Sequence, residues 1–200
     1  MSTPAPASLF YRPPNWLDPF EWRAVFDNDR PVEVDIGAGK GSFLLWAAAT
    51  RPDHNFLGIE RLLVRLRKVE KKARRQELTN IRLLRLEASY LIGKLIPAAS
   101  VAVYHLYFPD PWPKRRHVHH RLFNASFAAD LLRTLQPGGV VNVATDHEEY
   151  FQQVQSVLRP VVEFQSVPVV VLPVEAQTDF EREFLAAGKP IHRGRWVKQG

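Results

Sequence analysis

Between residues 32 and 197, short apolar runs recur with helix-length amphipathic stretches between them, and few architectures accommodate that alternation. A strand covered by helices on both faces reads as a nearly continuous run of Val, Ile and Leu, and a parallel sheet needs a crossover helix between successive strands. The runs VEVDI (32–36), NFLGIE (55–60), IRLLRL (81–86), VAVYHLYF (101–108), VVNVAT (140–145), VVEFQSVPVVVL (161–172) and IHRGRWV (191–197) fit that requirement. Helices are expected at 42–50, 61–77, 88–95, 123–135 and 147–158, with QPGG closing the fourth of these and a short helix at 16–26. The expected fold is therefore α/β and Rossmann-like: a seven-stranded, mostly parallel sheet with helices on both faces. Residues 1–30 are expected to form an N-terminal arm, loose up to residue 14, with a short helix, and residues 31–200 a single domain.

The chain has no cysteine, which excludes disulfides, thiolate metal sites and a catalytic thiol, and suits a cytoplasmic protein. No apolar run approaches the ~20 residues of a membrane span, and the N-terminus lacks a basic start followed by an apolar core. The formal charge of +6 favours a polyanionic partner. Charge is concentrated in residues 61–75, RLLVRLRKVEKKARR, which hold eight basic residues and one acid. By itself this run reads as the wet face of an amphipathic helix with Leu62, Leu66 and Val69 turned inward.

The stretch VDIGAGKGSF places Gly37, Gly39 and Gly41 between a buried strand and a helix, where the backbone can turn sharply and a ligand can approach. A phosphate-binding Walker loop is disfavoured, because Val34 stands where its first glycine belongs and Gly41 follows Lys40 where Ser or Thr is needed. A dinucleotide is disfavoured, because Asp35 would face a pyrophosphate. S-adenosyl-L-methionine removes the conflict: it carries an ammonium and a sulfonium, and carboxylates at strand ends can pair with such cations. Asp35 would meet the charge, Glu60 the ribose hydroxyls about 20 residues beyond the glycines, and Glu87 the adenine side. The chain thus reads as a class I S-adenosylmethionine-dependent methyltransferase.

The fourth strand leaves the switch point of such a sheet through FPDPWPK, in which Pro109, Pro111 and Pro113 stiffen the backbone around Asp110 and Trp112. In this order, DIGAGKGSFL, FLGIE, FPDPWPKRRHVHHR, VATDHEEYF and TDFE resemble the bacterial tRNA (guanine-N7-)-methyltransferase family, over residues 31–196. The resemblance implies Asp35, Gly37, Gly39, Glu60, Glu87 and Asp110 at the cofactor site, with Asp110 also the catalytic position. It implies Lys114, Asp146, Thr178 and Glu181 at the guanine site. Arg115, Arg116 and Arg121 are expected on RNA phosphates. His119 and His120 depart from the family, which has Lys and Arg there, so histidine supplies that charge only in part near neutral pH. HVHH lacks a clear fourth ligand and no metal is expected.

The implied reaction moves a methyl group to N7 of guanine in tRNA, the variable-loop guanine at position 46. N7 exposes a lone pair on the neutral base, so no general base is required and alignment carries most of the rate. Two rivals stand beside this reading: an exocyclic amino-methyltransferase with a related Asp-Pro corner, acting on nucleic acid or protein, and an RNA-binding module without catalysis. Thr145 with Glu148, and Thr178 with Glu181, also have the spacing of helix capping boxes. The partner is tRNA, no membrane is involved, and the assembly is a monomer or homodimer.

Overall fold

The computed structural model describes residues 8–112 and 115–200, apart from the side chains of Arg115, Val118 and His119. Five parallel strands form its centre: β1 (Val32–Ile36), β2 (Asn55–Ile59), β3 (Ile81–Leu84), β4 (Val101–Tyr107) and β5 (Leu135–Thr145). Strands β6 (Phe164–Ser166) and β7 (His192–Lys198) complete the sheet, with β7 antiparallel to both β5 and β6. The spatial order is β3-β2-β1-β4-β5-β7-β6, so the chain reverses its winding between β1 and β4. Every residue of β1 and β2 is buried, as central strands covered on both faces are, including the polar Glu33, Asp35 and Asn55.

Two cores follow from this winding. Helices α2 (Ser42–Thr50) and α3 (Leu63–Arg75) cover one face, where Phe43, Leu44, Leu66, Val69 and Ala73 pack on Phe56, Ile81 and Leu83. The other face carries α1 (Trp22–Phe26), α4 (Ala88–Tyr90) with the π-turn at Leu91–Leu95, α5 (Ala125–Thr134) and α6 (Glu148–Leu158). A last helix, α7 (Asp179–Ala186), follows a 3₁₀ turn at Val174–Ala176.

Several boundaries differ from expectation, each for an identifiable reason. The N-terminal segment is not loose from Ser8 onward: the Tyr11 amide donates to the Leu83 carbonyl, the Leu83 amide to Leu9, and Leu9 is buried. It covers the free edge of β3, which would otherwise expose an unpaired strand. The expected strand at 161–172 shrinks to three residues, since Pro168 cannot donate to a ladder and Val169–Val171 are exposed. QPGG does not close α5, which ends at Thr134; it lies within β5, where the register against β4 shifts. Leu62 is not turned inward but half exposed, because α3 begins after it. The expected helix at 16–26 is confined to α1, and α7 was expected only as a cap.

Candidate active site

The carboxyl ends of β1, β2, β3 and β4 open into a cavity of about 410 Å³ at the point where the winding reverses. Its floor is the turn after β1, where Gly37, Gly39 and Gly41 all have positive φ. Gly41 has a second constraint, because a Cβ there would lie 2.8 Å from Val69 of α3. The glycines thus let the turn curl tightly and let α2 and α3 close together behind it.

Asp35, Glu60 and Glu87 all line this cavity. Asp35 is only 4% exposed, and burial, with the Glu60 carboxylate adding to it, pushes its acid up to about 7. A carboxyl group so placed costs free energy when ionised unless a cation meets it, and an ammonium or sulfonium in the cavity would do so. Glu60 accepts the Leu62 amide at 2.9 Å and Arg65 at 3.2 Å on separate oxygens, which leaves a lone pair on each for a hydroxyl donor. Glu87 caps α4 by accepting from the Tyr90 amide at 2.9 Å and from the Ser89 hydroxyl. Burial alone would raise its acid, but these bonds outweigh burial and hold it below the usual carboxylate range. A turn of positive-φ glycines, a buried acid and a diol acceptor fit a cationic nucleoside. Among the described residues, no cluster of three His, Asp or Glu side chains is placed for a metal.

The corner after β4 forms the opposite wall, with Phe108, Pro109, Asp110 and Trp112 lining the cavity. Phe108 and Trp112 have φ of 55° and 42°, costly for bulky side chains and held by surrounding contacts. The Phe108 amide donates to the Ala144 carbonyl at 2.7 Å, and the Trp112 ring lies 5.1 Å from that of His120. Arg121 supplies the decisive contact: its Nε donates to the Pro111 carbonyl at 2.6 Å and its guanidinium to Gln153 of α6 at 2.7 Å. It also lies over the Tyr150 ring and is buried. The expectation that Arg121 grips RNA phosphate is therefore corrected, because its charge and donors face inward.

Helix α7 closes the cavity from above. The Thr178 hydroxyl caps it by accepting the Glu181 amide at 3.1 Å, and Thr178, Asp179, Phe180 and Glu183 line the cavity. Asp179 accepts from the Ser42 hydroxyl at 2.9 Å and pairs with Lys40 at 3.1 Å, tying α7 to the glycine turn. Glu181 points elsewhere: it pairs with Arg193 and lines a second, much smaller cavity of about 20 Å³ beside Tyr107 and Asn142. Asp146 is not among the lining residues and pairs with Lys189 at 2.9 Å. Without substrate, Thr178 alone of the described residues expected at guanine lines the main cavity, while Glu181 and Asp146 are held by Arg193 and Lys189. Only half of the Thr178 capping box forms, and that of Thr145 does not, since the His147 ring caps α6 instead.

Lys114 lies outside the described residues, as does the side chain of Arg115, whereas Arg116 is exposed on the 3₁₀ turn at Arg115–His120. Sequence reasoning missed Tyr107 and Glu183. Tyr107 carried a signal, since alternation along β4 puts it on the same face as His105. Its hydroxyl lies 3.1 Å from His105 Nδ1, and His105 Nε2 lies 2.7 Å from Glu33, which Arg51 holds at 2.5 Å. Burial outweighs the Glu33 attraction and lowers the His105 pKa, which favours a neutral ring whose Nε2–H donates to Glu33 and whose Nδ1 accepts a hydrogen bond from the Tyr107 hydroxyl.

A family described as putative methyltransferase matches residues 29–194. A tRNA (guanine-N(7)-)-methyltransferase of Syntrophotalea carbinolica is 34% identical over 187 residues, covering 92% of this chain and 81% of the relative. An enzyme of the same name from Listeria monocytogenes is 34% identical over 178 residues, covering 86% and 83%. Among solved structures, the 16S rRNA methyltransferase KamB superposes with a TM-score of 0.65 at 14% identity, covering 90% of this chain and 93% of that one. TrmN from Thermus thermophilus gives 0.61 at 20% identity, covering 89% and 47%. At such identities these structures show the fold alone, the Rossmann-like fold of class I S-adenosylmethionine-dependent methyltransferases.

Proposed function

This chain belongs to the tRNA (guanine-N7-)-methyltransferase family, and on that premise we propose how its cavity moves a methyl group from S-adenosyl-L-methionine to N7 of a tRNA guanine, the variable-loop guanine at position 46. The observation that carries the reading is the convergence of the buried Asp35, the Glu60 acceptor and the Asp110–Trp112 corner on one cavity.

The cofactor supplies an electrophilic methyl carbon on a sulfonium. Asp35 binds its ammonium, Glu60 accepts from the ribose hydroxyls, and Glu87 borders the adenine side. Asp110 accepts from the N1 and N2 donors of guanine and sets N7 toward the methyl carbon, while Trp112 walls the base. Methyl transfer to the neutral N7 lone pair would leave the positive charge on the guanine ring and would need no residue of this chain to remove a proton. The residues therefore contribute mainly by alignment, worth roughly 7–11 kcal/mol in well-oriented systems. Thr178 faces the same space from α7, and Asp146 and Glu181, held by Lys189 and Arg193 in the absence of substrate, remain the further carboxylates for the guanine edge. Since tRNA is the substrate, we place the protein in the cytoplasm; among the described residues no helix is long and apolar enough to cross a membrane.

Incubation with methyl-labelled cofactor and bulk tRNA, followed by nucleoside analysis, is expected to return N7-methylguanine, with borohydride and aniline cleaving the tRNA in its variable loop. Label in methyladenine or an exocyclic methylguanine would favour the amino-methyltransferase alternative. Asp110→Ala is expected to fold and to lose ~100-fold or more in turnover. Near-normal turnover would remove Asp110 from the site.

A further inference from the structure

Of the eight cations of residues 61–75 only Arg61 and Arg65 line the cavity, and α3 shows how the others are displayed. Its apolar side, Leu66, Val69 and Ala73, is buried against the sheet. The single acid, Glu70, is engaged with the N-terminal segment, accepting from the Ser8 hydroxyl and the Leu9 amide, both at 3.0 Å. Arg65, Lys68, Lys72 and Arg75 recur at spacings of three and four residues, which places them along one side of α3, and Arg61 lies just before its first turn.

That stripe starts at the cavity. Arg61 and Arg65 line its mouth together with Lys40, and Lys72 donates to the Lys40 carbonyl at 3.2 Å. From Arg65 to Arg75 the cations run away from the cavity along about 15 Å of helix. Lys68, Lys71 and Arg75 are exposed, and among the described residues no carboxylate pairs with them. We propose that the outer face of α3 is a phosphodiester track that holds the body of the tRNA beside the methyl-transfer cavity. The proposal rests on the tRNA reading above and locates its electrostatic surface, which Arg121 does not supply. A bilayer is the wrong partner for this face, because the apolar residues that would enter it are already committed to the core.

The test compares the full chain with Lys68→Gln/Lys71→Gln/Arg75→Gln and with the charge-preserving Lys68→Arg/Lys71→Arg/Arg75→Lys, measuring bulk tRNA binding by fluorescence anisotropy from 50 to 300 mM KCl. The neutral triple variant is expected to bind tRNA ~10-fold or more weakly at 100 mM KCl, with a salt slope shallower by about 2–3. Its calorimetric affinity for S-adenosylmethionine and its melting temperature should stay those of the parent, and the charge-preserving variant should bind tRNA as the parent does. Unchanged tRNA affinity and slope in the neutral variant would overturn the track, as would equal loss in both variants. Binding to phosphatidylserine vesicles that the neutral variant loses, with tRNA binding intact, would also overturn it in favour of a membrane surface. Failure of the tRNA reading itself would show separately, as the wrong methylated nucleoside.

Discussion

Two buried charged residues carry the most chemistry, and each makes a prediction of its own. Asp35 has an acid raised to about 7 by burial, against 3.8 in the unfolded chain, so the folded state binds the proton more tightly. Stability from this group is therefore greatest below about pH 4 and is lost as pH rises toward 7. Asp35→Asn removes that loss: between pH 5 and pH 8 the cofactor-free parent should lose roughly 2–3 kcal/mol relative to the variant, measured by urea unfolding at both pH values. Cofactor affinity should respond in the opposite sense, improving about tenfold in the parent from pH 6 to pH 8 as the carboxylate ionises, and becoming weak and flat in the variant. Calorimetry in two buffers of different ionisation enthalpy reads the proton released on binding. Arg121, in turn, holds the Pro111 carbonyl and Gln153 together through a planar fork. Arg121→Lys keeps the charge but cannot make both bonds in that geometry. It should lower kcat about tenfold or more with little change in the KM for tRNA, whereas a phosphate contact would show the reverse.

At the scale of elements, the glycine turn was readable because its constraint is local. Alternation of glycine directly after an apolar run implies positive φ whatever surrounds it, and residues 37, 39 and 41 adopt it. The partner across the turn was not readable. Gly41 faces Val69, 28 residues further on, and only packing of α3 brings the two together. Gly41→Ala should therefore cost about 2 kcal/mol or more from left-handed strain and the Val69 clash, and should weaken cofactor binding as well, measured by melting temperature and calorimetry. The corner after β4 teaches the same lesson. Its prolines announced a stiff loop, but the positive φ of Phe108 and Trp112 and the clamp by Arg121 depend on α6 and β5 standing behind it. Arg121 sits in a run of basic residues, and charge pattern alone assigns such a residue to solvent; the Tyr150 ring and Gln153 that draw it inward come from a helix about thirty residues away.

For the molecule as a whole, cofactor binding and chemistry should have separate pH signatures. With cofactor saturating, single-turnover methyl transfer should be nearly flat between pH 6.5 and 8.5, because N7 needs no deprotonation, while kcat/KM for the cofactor should rise through about pH 7 with Asp35. A steep single-turnover profile would indicate an amine nucleophile that must shed a proton. The N-terminal segment belongs to the same cooperative unit: Leu9 is buried and its backbone covers β3, so Leu9→Ala should cost about 2–4 kcal/mol in urea unfolding.

Sequence alone determined the parallel sheet, the order of its strands along the chain, the glycine turn and the acids Asp35, Glu60 and Asp110, because each follows from local periodicity, torsion or position at a strand end. Tertiary structure decided which charges meet solvent and which meet one another: Arg121 and Glu181 turned inward to Pro111 and Arg193, Asp146 paired with Lys189 at the surface, and most cations of α3 turned out. The physical reason is distance along the chain. A residue's conformation is set by its neighbours in sequence, but the dielectric around its charge is set by segments tens of residues away, and only the folded chain brings those together.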